Sequence, residues 1–447
     1  MEKYEKYKNS GIEWIGVIPE NWSLKRLKYL LREKITDGPH ETPEFVSDGI
    51  PFLSVDSIKD GEIIFENTRK ISEVEHVRFQ QKCKIERNDI LMGKAASVGK
   101  IARVKVDFEF SIWSPLALLK AKTELITSEF LEYYLKSEYS QAEIILLSSF
   151  NTQRNISMAD IPKLNIVLPR IEEQKLISLY LDQKLAELNK IIENKSKLIS
   201  FYEEEKQAVI NRAVIRGLNV NCELKRISEE WIGEIPKHWE IKKVKLICKI
   251  QGRIGFKGYK TSDLVFDGNG AITLGATHIT KFNKIVLSEP VYLSWDKYYE
   301  SPEIMVKEGD IVFTQRGAYL GKVGLIDKDY GDVTINPSLI LLKNIKIHAP
   351  YLAYYLTSNY IRKSVDVISN STAIPMISQE QLANFYCLIP PIEEQVEISK
   401  FIEEKNIASD RLIEKVKNQI ELLQEYRATL ISEVVTGKIK VPNTIEA

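Results

Sequence analysis

Apolar and polar positions follow two different rhythms along this chain. Up to about residue 169, runs such as "GIPFLSVDSI", "GEIIFENT" and "NDILMG" alternate between Gly, Pro and Asn turns, the pattern of strands and hairpins. One stretch there, "EFLEYYLKSEYSQAEIILL", has helical spacing and is expected to pack on the sheet. After Pro169 the texture turns helical, and neither Pro nor Gly recurs until Gly217. The same happens between Pro391 and Gly437. A proline ahead of the first turn, carboxylates within it (Glu172, Glu173; Glu393, Glu394) and a closing glycine are start and stop signals of a helix. Each helix is then about 45 residues, or about 65 Å at 1.5 Å per residue.

Helices this long with only partly apolar surfaces need a partner. Every seventh residue gives Leu181, Leu188, Lys195, Tyr202 and Val209 in one, and Ile402, Ser409, Val416, Leu423 and Leu430 in the other. Companions Ile177, Ile191 and Leu198, and Ile398, Leu412 and Tyr426, predict a coiled-coil seam, widened by Ile192, Ile199, Ile413 and Ile420. Lys195 and Ser409 interrupt it.

The chain is also written twice. "EWIGVIPENWSLKRLKYLL" returns as "EWIGEIPKHWEIKKVKLIC", "NDILMGKAASVGKIARV" as "GDIVFTQRGAYLGKVGLI", "FLEYYLKSEY" as "YLAYYLTSNY" and "IVLPRIEEQ" as "CLIPPIEEQ". Trp14 and Trp231, Asp89 and Asp310, Tyr133 and Tyr354, and Glu172 and Glu393 are each separated by about 220 residues, the mark of a duplication. Five segments follow: an α+β domain at 1–169, a long helix at 170–217, a second α+β domain at 218–390, a second long helix at 391–437 and a tail at 438–447.

Composition narrows the class. The 447 residues carry 62 Lys plus Arg and 62 Asp plus Glu, so overall charge names no partner. No apolar run is long enough to cross a bilayer. Cys83, Cys222, Cys248 and Cys387 form no CxxC pair, which fits a cytoplasmic protein. "GKAASVGK" and "GAYLGK" miss the phosphate-loop pattern, with five and three residues between the glycines and Ile101 or Val323 after the lysine. "INPS" lacks the second proline and aromatic of an amino-methyltransferase box. The histidines His40, His76, His238, His278 and His348 show no metal-ligand spacing. The chain reads as a recogniser with no catalytic site and no metal or cofactor of its own.

Charge distribution indicates what it recognises. Ile241 to Lys260 contains seven basic residues and no acid, and basic positions recur at matching places in both repeats. Lysines of "LKRLKYLL" are read as the solvated face of a helix. Those beside turns are the DNA-binding candidates: His40, Thr42, Lys94 and Lys100 in the first repeat, and Arg253, Lys257, Tyr259, Lys260, Gln315, Arg316 and Lys322 in the second. The repeats differ most at these loops ("TDGPHETPEFVSDGIPFLSV" against "GRIGFKGYKTSDLVFDGNGAITLG"), as two readers of different targets should.

The tandem arrangement, "EWIGxIPxxW" opening each half, the Asp-Ile…Gly-Lys hairpins, "IEEQ" heading each long helix and the "DGPHETP" loop together resemble the specificity subunit of a type I restriction–modification enzyme, over nearly the whole chain. The second repeat lacks a DGPH-type loop. The resemblance implies two target-recognition domains at opposite ends of an antiparallel helix pair, each reading half of a split DNA sequence. It implies no catalytic site, two methyltransferase subunits as partners, restriction subunits joining through the complex, and S-adenosylmethionine, ATP and Mg²⁺ on those partners. Competing readings are the recognition part of another modification or phage-defence system, and a protein-binding assembly scaffold. The acid-free stretch beside a turn argues against the scaffold, which has no need of it.

A helix of about 65 Å spans at most about 19 base pairs at about 3.4 Å each. Removing one heptad from both helices should therefore shorten the unread spacer of the methylated target. An unchanged spacer in methylation mapping would rule out the helices as a ruler.

Overall fold

The computed structural model describes residues 2–150, 153–227, 233–253, 258–266, 268–280, 283–369 and 375–442. The chain divides into two compact units, Met1–Ser196 with Lys417–Ala447, and Lys197–Val416. Each takes in part of both long helices, so neither coincides with one sequence repeat. Trp231 and Lys257 lie outside the described residues.

The two units repeat one topology. In unit 1 an antiparallel sheet runs Ile101–Arg103, Ile90–Gly93, Leu116–Leu119, Thr36–Asp37. In unit 2 the same order reads Val323–Leu325, Ile311–Thr314, Leu339–Lys343, Lys249–Gly252. A second four-stranded sheet in each contains one parallel pairing, Ser111 with Phe52 and Ile272 with Val333. These central strands are apolar on both faces because a core lies on each side of them, as in Ile90–Gly93 and Ile311–Thr314. The Asp of each "Asp-Ile" starts its strand: Asp89 accepts the Glu86 N–H at 2.8 Å, and Asp310 accepts that of Lys307 at 2.9 Å. Burial pushes both carboxyls up in pKa, opposed by the Lys120 ammonium at 3.2 Å from Asp89 and that of Lys343 at 3.8 Å from Asp310. The repeated motif is thus a buried strand anchor.

Two local expectations change. The stretch expected as one helix is two, Ser128–Lys136 and Glu138–Leu147, because Ser137 is extended (φ −66°, ψ 151°) and caps the second by accepting the Ser140 N–H. "LKRLKYLL" is no helix face either. Ser23–Arg26 is a strand paired with Asn165–Leu168, and Leu27–Tyr29 a short 3₁₀ turn. Glu240–Lys243 pairs likewise with Tyr386–Ile389. A strand beside the last strand of its repeat brings the start of each repeat to the head of its long helix.

The long helices, α1 (Ile171–Arg216) and α2 (Ile392–Val435), match the expected length. In unit 1, Leu181 and Leu188 from early α1 share a core with Leu430 and Val434 from late α2. In unit 2, Ile210, Ala213 and Val214 from late α1 share one with Ile398 and Ile402 from early α2. Early against late in both units is an antiparallel pair.

The "IEEQ" heads fasten these helices to the sheets. Trp22 donates its indole N–H to Glu173 at 3.0 Å, and Trp239 does the same to Glu394 at 3.1 Å. Gln174 donates to the carbonyls of Leu125 and Pro169, both at 3.0 Å, and accepts the Thr127 N–H at 2.9 Å. Gln395 donates to Pro390 and accepts the His348 N–H, both at 2.8 Å. Tyr133 binds Asp182 and Tyr354 binds Glu403 one helical stretch later. Hydrogen bonds to a charged acceptor contribute about 1.5–3 kcal/mol each. The motif recurs because each repeat makes the same fastening.

The expected seam needs correcting. Leu181 and Leu188 are buried as expected, and so are Ile177 and Ile398, but the companions Ile191, Leu198, Leu412 and Tyr426 are exposed. The stripe runs instead through the expected widening positions, four residues on from the main column: Lys206 and Ile413 are buried there, and Ile192, Ile199 and Ile420 half-buried. On an isolated helix steps of three and four flank the column almost equally. Polar partners mark the stripe chosen: Lys206 meets Asp410 in unit 2, while in unit 1 Arg427 meets Asn189 at 3.1 Å and Lys195 meets Gln419 at 2.7 Å.

Each helix ends at a left-handed glycine, Gly217 (φ 71°) or Gly437 (φ 73°). A Cβ at 437 would stand 2.4 Å from Pro19 Cγ, whereas one at 217 would stand 2.8 Å from a flexible Glu394 oxygen and 3.2 Å from Trp239. Beyond Gly437 the chain bridges Glu2 through Lys440 and buries Val441 in unit 1. Both Gly217→Ala and Gly437→Ala should carry the left-handed cost of about 1–2 kcal/mol, with Gly437→Ala the more damaging because proline cannot swing aside. Equal losses in chemical denaturation would show that the close approach to Pro19 is without consequence.

Candidate nucleic-acid interface

In unit 1 the DGPH loop is organised by Asp37, which sequence reading did not single out. Its carboxylate is buried and receives Lys82 at 2.6 Å, Lys94 at 3.2 Å and the exposed His40 Nε2 at 3.1 Å. Burial alone would raise the Asp37 pKa, but hydrogen bonds and charge from Lys82 and Lys94 outweigh it and hold the carboxyl below its usual value. Gly38 is required behind it, since a Cβ there would lie 1.8 Å from the Ile112 carbonyl oxygen. The loop is therefore pinned flat against the sheet, presenting His40 and Thr42 to solvent. The signal was available in the sequence: an aspartate followed by Gly-Pro, next to a strand, among lysines.

Lys94 is buried and committed to Asp37. Its counterpart Gln315 donates to the Pro337 carbonyl at 2.8 Å. Their backbones are held alike, with N–H groups donating to Pro115 and Ser338 and carbonyls accepting from Ile156 and Ile377. Lys100 and Lys322, the lysines of the two Gly-Lys pairs, each donate to a backbone carbonyl at the matching 3₁₀ turn, Val55 at its start (3.3 Å) and Ile279 just past its end (3.2 Å). Lys322 also lies 4.0 Å from the Tyr319 ring centroid.

Arg253 is 7% exposed, donates to the Ile335 carbonyl and to Thr334 Oγ1, and stands over the Tyr259 ring at 5.2 Å. Tyr259 is half-buried beneath it. Lys260 is exposed, its N–H donating to Asp263 at 2.6 Å, and Arg316 is exposed at the hairpin turn. The structure thus brings His40, Thr42 and Lys94 together in unit 1, and Arg253 and Tyr259 in unit 2. In each unit it divides the candidates into exposed side chains (His40, Thr42, Lys260, Arg316) and side chains that brace the loops (Lys94, Lys100, Arg253, Gln315, Lys322).

Two like units, each holding variable loops on an invariant pair of sheets, define a duplicated recognition protein. Comparison with known proteins gives its kind. The family model of the type I restriction modification DNA specificity domain matches twice, over residues 19–200 and 236–422. The chain is 28% identical over 445 residues to the type I restriction enzyme MjaVIII specificity subunit of Methanocaldococcus jannaschii, covering 95% of each. It is 22% identical over 443 residues to the EcoKI specificity subunit of Escherichia coli K12, covering 95% of this chain and 90% of that one. In fold it is similar, with a TM-score of 0.68 at 16% identity, to a chain solved in work on assembly and conformational transition of the type I R-M system, over 94% of this chain and 99% of that one.

The chain belongs to the type I restriction–modification DNA specificity family, and DNA target recognition is its function. Among the described residues no helix is long and apolar enough to cross a membrane.

Because the Asp37 carboxyl is depressed in the folded state, its contribution to stability is complete above the ordinary carboxylate range and is lost as pH falls through the folded value. Asp37→Asn should cost about 3–5 kcal/mol near neutrality by leaving buried Lys94 unpaired, and should flatten the acid limb of stability below the ordinary carboxylate range. Denaturation curves of both proteins across that range check this. Parallel acid limbs would remove Asp37 as the organiser.

Proposed function

We propose that the chain reads a bipartite DNA target, one half with each unit, as the specificity subunit of a type I complex containing methyltransferase and restriction subunits. The observation that carries this is the pair of specificity-domain matches within one chain, each on a unit whose reading loops differ. Exposed His40 and Thr42 would approach the bases of one half-site, and Lys260 and Arg316 those of the other, while the bracing side chains hold the loops in place.

The chain supplies recognition and not chemistry. Three of its histidines are committed to structural partners: His238 to Glu394, His278 to the Gly275 N–H and His348 to Ser399. His76 stands 2.9 Å from Ser111 Oγ and 3.4 Å from Glu109, an order suggestive of a nucleophile relay. Ser111 is only 4% exposed and sits within a sheet strand, so no substrate carbonyl could reach it. S-adenosylmethionine, ATP and Mg²⁺ would be held by the partner subunits.

Two equivalent apolar pairs support two methyltransferase subunits. Unit 1 exposes Ile191 at 43% and Leu422 at 63%, and unit 2 exposes their repeat equivalents Leu412 at 44% and Phe201 at 63%. Exposed large apolar residues on both helices, equally exposed in both repeats, fit helical partners of one kind.

Expressing the chain with its methyltransferase and mapping methylated adenines should give one split motif. Arg316→Ala should relax one half only, and loss of both halves would assign Arg316 to general phosphate contact or to the fold. Ile191→Asp with Leu422→Asp should leave one methyltransferase bound where wild type binds two, read by native mass spectrometry. Retention of two would exclude this surface.

A further inference from the structure

Ser149–Phe150 pairs with Arg154–Asn155, directly after the helix Glu138–Leu147. Phe150 is 71% exposed, beside the exposed Ile145 and Leu146 of that helix end. The Arg154 guanidinium lies 5.7 Å from the Phe150 ring centroid and donates to the Ile145 carbonyl. We propose that this hairpin is a second DNA-contacting element of unit 1, in which Phe150 meets the apolar edge of a base pair and Arg154 the adjacent phosphate. The proposal rests on the DNA-recognition reading above and deepens it.

Three observations carry it. The first is attachment: Asn155 bridges Ala95, and the Ile156 N–H donates to the Lys94 carbonyl at 2.9 Å, so the hairpin is welded to the turn beside the Asp37 cluster. The second is charge. No acidic residue occurs between Glu143 and Asp160, in a chain whose acids and bases are equal in number. A segment free of carboxylates and carrying Arg154, with Gln153 and Asn155 exposed beside it, suits a polyanion whose base edges both donate and accept. The third is recurrence, since Arg316 bridges Met376 at the equivalent place in unit 2.

An exposed phenylalanine in such a setting has a defined use. Phenylalanine makes apolar contact with thymine methyl groups in the major groove and enters base steps from the minor groove. A cation over its ring is oriented without loss of its charge, and so remains available to a phosphate. A protein-docking role would bury Ile145, Leu146 and Phe150 together, with no need for the neighbouring amides or for the missing acids.

The test uses the full chain co-purified with its methyltransferase subunits, comparing wild type with Phe150→Ala, Phe150→Leu and a Gln153→Ala/Arg154→Ala double variant. Methylated motifs are mapped on genomic DNA, and affinity is then measured on a duplex of the mapped wild-type target. Expected are intact complexes, relaxed base preference within one half of the motif, and affinity lower by about tenfold for Phe150→Ala and the double variant. Phe150→Leu should retain part of the preference. An unchanged motif with unchanged affinity overturns the proposal. Complexes that fail to assemble also overturn it, assigning the patch to a protein partner. Wild type yielding no methylated motif sinks the recognition reading itself, an outcome seen before any variant is compared.

Discussion

Each unit of this protein is closed by a helix segment that the other repeat begins. Leu430 and Val434 complete the core around Trp22 and Phe130, and Ala213 and Val214 complete the one around Trp239 and Tyr351. Apolar burial at about 25 cal/mol per Å² makes such segments worth several kcal/mol. Neither repeat can therefore be folded out of its own sequence segment alone. The antiparallel course of α1 and α2 is a consequence: late residues of one helix must reach the core that holds early residues of the other.

Around that constraint the repeats divide into parts that must agree and parts free to differ. The Trp–Glu bond, the Gln clamp and the Asp strand anchor recur in both units with nearly the same geometry, and a Lys-to-carbonyl brace recurs beside them. Apart from the Lys brace, none of them touches the exposed loops, which are free to vary without disturbing the helices. Asp37 with Lys82 and Lys94 in unit 1, and Arg253 over Tyr259 in unit 2, are different solutions to one problem, fixing a reading loop against the same sheet. Recognition can thus change by exchange of braces and tips while the frame stays constant.

The long helices show a similar economy at their surfaces. Their buried stripe carries polar partners at a few places, and Lys206 is almost wholly buried against Asp410. Breaking such a pair leaves an uncompensated charge, so alternative registers are penalised more than the matched one is favoured. Among the apolar residues left outside, Ile191 with Leu422 and Leu412 with Phe201 occur once per unit at equivalent positions.

Much of this was legible in the residues. Duplicated motifs, Pro and Gly punctuation and sustained helical spacing depend on local backbone preferences and on repetition, both of which one sequence records. The class of protein could be read from the same features. The strand within "LKRLKYLL" and the choice of the four-step stripe could not, because each is decided by a partner distant in the chain. The candidate site divided the same way. That cations cluster at turns is a property of the sequence, but whether Lys94 or Arg253 faces solvent or braces a loop depends on Asp37 and Tyr259 arriving from elsewhere. The sequence by itself determined the repeats, the helices and the chemistry available at the loops. Only the tertiary structure decided which of those side chains are left free, because a buried charge must be paired and that pairing is made through space.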